Sequence, residues 1–176
     1  AADALRVLSD IGSLAIWPVL QARGCEPGST ARILETLFGE GGPQYDQWPK
    51  GLIPFHLYGN SVRSAFIEHA YDAAGLSGDG RSRCRLHVTV SPSHAPGFRA
   101  EWERHGRSVE QDTGARVDLE ISEQAPHTDG IAIDADGRLV REGDGRVFFR
   151  PGGHGAVLEN LGSCGGDIVF VRNIDN

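Results

Sequence analysis

The residues with the most chemical content lie near the end of the chain, in Phe149-Arg150-Pro151-Gly152-Gly153-His154-Gly155-Ala156 and in Asp167-Ile-Val-Phe-Val-Arg-Asn173-Ile174-Asp175-Asn176. The glycines at 152, 153 and 155 let the main chain take positive φ and let a flat ring lie against it, where a Cβ would intervene. Between the two segments, 156–161 has helical character, and the apolar run 168–174 predicts a buried strand with Asp175 at its carboxyl end. Open α/β sheets bind ligands outside that end of their strands. A glycine turn, a helix and a strand closing on a carboxylate together predict a site for a nucleotide and a divalent metal. Asp175 would supply the carboxylate oxygen for that metal.

The elements that must position these residues are read from apolar spacing. Leu5, Leu8 and Ile11, then Leu14, Ala15 and Leu20, recur at helical intervals with a break at Pro18. A helix is predicted over 30–38, capped by Ser29 or Thr30 and ended by Gly39. Residues 39–48 read as a loop, and 49–55 as a Pro-rich loop with a short extended piece. Helices follow over 64–74 and 97–110, the second opened by Pro96. Alternation predicts strands over 84–90 and 115–121, with shorter ones at 131–133 and 146–149 around the turn Asp134-Ala-Asp136-Gly137. Helices interleaved with strands imply an α/β fold with a mostly parallel central sheet and flanking helices.

At 176 residues the chain is long enough for one domain with a core, and we read 1–176 as that domain, with residues 1–40 helical. The formal charge of −7 and the lack of any Lys/Arg run exclude a nucleic-acid backbone as partner. Arg81, Arg83 and Arg85 alternate as one solvated strand face would. Three cysteines, widely spaced and without a CxxC pair, suggest neither a zinc site nor a disulfide framework, so a reducing cytoplasm is expected. No apolar run approaches the roughly 18 residues of a membrane span. The chain contains no Met and stops one residue after the expected metal ligand, so we expect a piece of a longer protein. Oligomeric state leaves no mark on the sequence.

Pro151-Gly-Gly-His-Gly155 followed by Val171-Arg-Asn-Ile-Asp-Asn176 resembles the sugar-1-phosphate uridylyltransferases, whose signature is a Pro-Gly-His-Gly turn and a later Asn-x-Asp-Asn strand end. With Pro49-Lys50-Gly51-Leu52 and Ser122-Glu-Gln124, the closer resemblance is to the bacterial domain-of-unknown-function family 4301. That family is similar to the nucleotide-diphospho-sugar transferase superfamily with its glycosyltransferase-A type fold, here incomplete. The resemblance spans roughly residues 40 to 176. It implies that Lys50 is catalytic, contacting phosphates and offsetting charge during transfer. It implies further that Gln124 reads a uracil edge, that Gly152, Gly153, His154 and Gly155 pack on the base, that Asn173 and Asn176 support the ribose or the turn, and that Asp175 holds Mg2+.

The implied reaction is uridylyl transfer from UTP to a sugar 1-phosphate with release of pyrophosphate. A UDP-sugar is the alternative ligand. Such enzymes carry a Gly-Gly-x-Gly-Thr-Arg loop before the Pro-Lys, whereas this chain has only Gly39-Glu-Gly41-Gly42, without a strand leading in or a helix leading out. A non-catalytic nucleotide-sugar binding or regulatory domain is therefore the second reading. Gly162-Ser-Cys164-Gly-Gly166 has the form of a nucleophile elbow, but its helix precedes and its strand follows, the reverse of what an elbow needs. His127 and Asp129 lack a third metal ligand. His56, His69 and His87 read as packing or surface residues.

Overall fold

A computed structural model describes residues 11–39, 45, 47–59, 61–76 and 83–174. Two short N-terminal helices, α1 (Trp17–Gln21) and α2 (Thr30–Phe38), are followed by the strands β1 (Pro54–Tyr58) and β2 (Ser61–Ser64). Then come helix α3 (Ala65–Leu76), strand β3 (Arg83–Val90), helix α4 (Ala95–Thr113) and strand β4 (Arg116–Glu123). The short strands β5 (Gly130–Ile131) and β6 (Phe149–Arg150) and the helix α5 (Leu158–Ser163) complete the set. No helix among the described residues is long and apolar enough to cross a membrane.

The protein is mixed α/β, but the single largely parallel sheet expected from the sequence is not what the described residues form. They form three two-stranded sheets. Only β3 and β4 run parallel, in unbroken register from Arg83 opposite Arg116 to Val90 opposite Glu123. The β1–β2 hairpin and the β5–β6 pair are antiparallel. The hairpin departs from the loop expected at 49–55, because Pro54 argues against a strand. Pro54 opens β1 beside a bulge, where its missing N–H is tolerated, and Gly59 turns the chain at φ +58°.

Alternation along β3 and β4 gives the parallel pair one apolar and one polar face. Cys84, Val90 and Val117 are buried on the apolar face, with Leu86, Val88, Leu119 and Ile121 packed beside them. Helices α3 and α4 cover this face with Phe66, Ile67, Ala70, Phe98 and Val109. The rings of Phe66 and Phe98 meet edge to face at 5.2 Å between centroids, a geometry that suits aromatic quadrupoles. Helix α4 begins with Pro in its first turn and ends on Gly114 at φ 70°, the left-handed C-cap that glycine adopts without a Cβ penalty. Inside it, buried Gly106 lets Trp102 lie along the helix, since a Cβ there would come within 2.5 Å of the indole. A smaller cluster of Leu20, Cys25 and Ile33 joins α1 to α2.

The expected strand over 168–174 is the largest correction. Residues 168–173 make no strand, and Ile168, Phe170 and Val171 are 79%, 74% and 71% exposed. Hydrophobicity marks this run as a buried strand, but a strand is held by pairing of its backbone groups, and no described strand pairs with it. Phe66→Ala should therefore destabilise the fold by about 3–5 kcal/mol, the range for emptying a buried aromatic site. Phe170→Ser should stay within about 0.5 kcal/mol of the parent, as exposed substitutions do. Urea unfolding of both variants measures this, and a Phe170→Ser loss as large as that of Phe66→Ala would restore the buried strand.

Candidate functional site

Parallel pairing brings the carboxyl ends of β3 and β4 to one edge. Beyond the last paired residues, the Gln124 amide donates to the Val90 carbonyl at 2.8 Å, and the chain then turns through a single 3-10 turn, Pro126–Thr128. Thr128 donates from its hydroxyl to the Ala125 carbonyl at 2.6 Å, which tightens this turn. The Gln124 side-chain nitrogen donates to Thr128 Oγ1 at 3.2 Å and approaches Asp129 Oδ1 at 3.5 Å. The plane of the Gln124 amide is thereby fixed against the loop that follows its own strand.

The glycine turn docks on that same loop. A Cβ on Gly152 would lie 2.5 Å from the Thr128 carbonyl oxygen and 2.7 Å from Ala156 Cβ, so only glycine fits. Gly153 and Gly155 have nothing within 4 Å of such a Cβ. None of the three takes positive φ, contrary to the expectation from sequence. What the turn requires is close approach at one position, not left-handed backbone at three. His154 is exposed at the head of the 3-10 turn His154–Val157, which runs into α5. His127 Nε2 lies 3.3 Å from Glu159 Oε1 on that helix, both side chains open to solvent.

Lys50 lies beside the start of α4. It is exposed at the start of the 3-10 turn Lys50–Leu52, whose Gly51 is buried. A Cβ on Gly51 would stand 2.8 Å from Phe98 Cζ and 3.4 Å from Ile174 Cδ1, and Leu52 Cδ1 would be 2.8 Å from a Cβ on Gly97. The lysine turn thus sits on the first turns of α4, directly after the carboxyl end of β3. The chain around Asn173 comes to the same place. Arg172 pairs with Asp72 at 2.9 Å, and the Ile174 carbonyl lies 3.4 Å from His69 Nε2. Asn173 itself is exposed, in extended chain rather than at a strand end. Asp175 and Asn176 lie outside the described residues.

The polar face of the β3–β4 pair carries what sequence reasoning missed. Arg83 binds Asp118 at 2.8 Å, Arg85 pairs with Glu120 at 3.7 Å, and His87 Nε2 meets Ser122 Oγ at 2.8 Å. Each partner sits two residues beyond the register position, so the three pairs form one diagonal ladder. The Arg83 guanidinium holds the Asp118 carboxyl below the usual carboxylate range through its hydrogen bonds. At the upper rung the face is covered by α5. Asn160 Nδ2 donates to Ser122 Oγ at 2.9 Å and to the Glu123 carbonyl at 3.0 Å, and Cys164 Sγ lies 2.6 Å from His87 Nδ1. The signal in the sequence was the alternation that puts His87, Thr89 and Ser122 on one face. What it lacked was the position of α5.

Residues 21–176 match the family described as Domain of unknown function (DUF4301), and the chain belongs to it. No curated protein and no solved structure matches the chain.

The seating of Gly152 gives a paired test. Gly152→Ala should cost about 1–3 kcal/mol, as forced overpacking does, and should raise amide exchange at 154–158 by loosening the turn from Thr128. Gly153→Ala should change neither property. Equal behaviour of the two variants in exchange and denaturation would show that the turn does not rest on the loop after β4.

Proposed function

We propose that this member of family DUF4301 binds a uridine nucleotide, UTP or a UDP-sugar, at the carboxyl edge of its parallel strand pair and transfers the uridylyl group to a sugar 1-phosphate. The observation that supports this most is the seating of Gly152 on Thr128, which ties the glycine turn to Gln124. With its nitrogen turned to Thr128 and Asp129, the Gln124 amide would use its oxygen to accept from a pyrimidine N–H, and a glycine turn beside it gives a flat ring room to lie against main chain. Lys50, exposed beside the start of α4, would meet the phosphates, and Asn173 the ribose. In this reading the β3–β4 pair is the parallel part of a sheet of the glycosyltransferase-A type. Three free cysteines agree with a reducing, cytoplasmic setting.

Phosphoryl transfer asks a protein to position reactants and neutralise charge more than to form bonds of its own. A sugar-phosphate oxygen attacks the α-phosphorus in line, and pyrophosphate leaves as negative charge builds on the equatorial oxygens. The Lys50 ammonium offsets that charge. Mg2+ enters the reading through Asp175, which lies outside the described residues, and would neutralise phosphate charge. Among the described residues no group of three or more His, Cys, Asp or Glu could hold a metal ion.

Titration calorimetry with UTP, ATP and GTP in Mg2+ buffer should show UTP binding at least tenfold more tightly, about 1.4 kcal/mol. Equal affinities would remove the uridylyl assignment. Tight UTP binding without pyrophosphate release from added sugar 1-phosphate would leave a nucleotide-sugar binding domain in its place. Lys50→Ala should weaken UTP binding by about 1.5–3 kcal/mol, the worth of a charge-assisted hydrogen bond, while the melting temperature holds. Unchanged affinity would return Lys50 to a surface role. Asp175→Asn should keep the melting temperature and lower Mg2+-dependent UTP binding about tenfold or more; undiminished metal dependence would sink the metal role.

A further inference from the structure

Cys164, His87 and Ser122 stand in the order of nucleophile, base and the group that orients the base. Cys164 Sγ is 2.6 Å from His87 Nδ1, and His87 Nε2 is 2.8 Å from Ser122 Oγ. Ser122 is held in turn by Asn160 Nδ2 at 2.9 Å and lies 3.1 Å from Thr89 Oγ1. If the Ser122 hydroxyl donates to Thr89, its oxygen accepts from both Asn160 and His87 Nε2. A protonated ring then has an acceptor at each nitrogen: the sulfur at Nδ1 and Ser122 at Nε2.

Access sets this thiol apart from the others. Cys25 and Cys84 are 4% and 7% exposed, and burial pushes the Cys84 thiol up. Cys164 is only partly buried, and it is followed by the exposed Gly165 and Gly166.

We propose that Cys164 is a reactive thiol, with His87 as its base, that undergoes exchange with low-molecular-weight disulfides. His87 Nδ1 takes the Sγ proton as the sulfur attacks one sulfur of the disulfide. The new S–S bond forms as the old one breaks, and the departing thiolate takes the proton from His87. One Cys thiol is oxidised to a mixed disulfide while one small thiol is released. Acyl transfer is the less suitable chemistry, because it asks for a donor aimed at the developing oxyanion, and the nearest one, the Cys164 amide, is already spent on the Leu161 carbonyl at 3.2 Å. Cys84 lies on the opposite face of β3 from His87, so the adduct persists until an external thiol removes it.

The test incubates the whole chain with glutathione disulfide at neutral pH and follows each cysteine by peptide mass spectrometry, with N-acetylcysteine as the reference thiol. Cys164 should form the mixed disulfide at least tenfold faster than the reference, Cys25 and Cys84 should not react, and dithiothreitol should reverse the adduct. His87→Gln should bring Cys164 to the reference rate or below. Ser122→Ala, which keeps the base but frees its ring, should fall between. A parent Cys164 no faster than N-acetylcysteine overturns the proposal without any variant. So does a His87→Gln protein that melts like the parent and reacts at the parent rate. Should His87→Gln fail to fold, Ser122→Ala at the parent rate overturns it.

Discussion

The parallel pairing of β3 with β4 is the constraint from which most of this structure follows. Parallel strands cannot be joined by a tight turn, so the chain must cross over, and α4 is that crossover. Once it crosses on one side, that face of the strand pair is apolar, and alternation puts the charged and hydroxyl side chains on the other. Both strands then release the chain at the same edge. The turn of Lys50 packs on the start of α4, Gln124 leaves β4 at its carboxyl end, and the glycine turn rests on Thr128.

Burial and chemistry are accordingly segregated. Phe66, Phe98 and Val109 fill the space between α3, α4 and the strands, and their transfer from water supplies the main driving force. The polar face contributes little of that force, because exposed ion pairs such as Arg83–Asp118 and Arg85–Glu120 are screened by solvent. It contributes order instead. The diagonal offset repeats three times, so the ladder that aligns two ion pairs also aims His87 at Ser122.

The sequence is most legible where periodicity alone decides. Helices over 30–38 and 64–74 and the strands at 84–90 and 115–121 agree with the structure within a few residues, since each carries one face of buried positions. The mixed α/β class follows from their alternation. The hairpin β1–β2 is hidden by Pro54, whose tolerance at a strand's first position is a matter of context. The strand expected over 168–174 rests on composition, although apolar residues specify burial only where a partner exists. At the site, the join between Gln124 and the glycine turn is legible as two motifs but not as a contact. His87 and Cys164 are 77 residues apart and hydrogen-bonded, and no local pattern in the sequence links them.

The uncovered run Ile168-Val169-Phe170-Val171 has a consequence for how the chain behaves in company. Four consecutive apolar residues, three of them β-branched, make a short segment of the kind that adds to any available sheet edge, including that of another molecule. The charges at either end, Asp167 and Arg172, flank it as residues that break such stacking do. Arg172 is itself anchored to Asp72 on α3, 100 positions earlier in the chain. The exposure of this stretch is thus coupled to a helix with which it shares no strand pairing, through a half-exposed ion pair that salt screens.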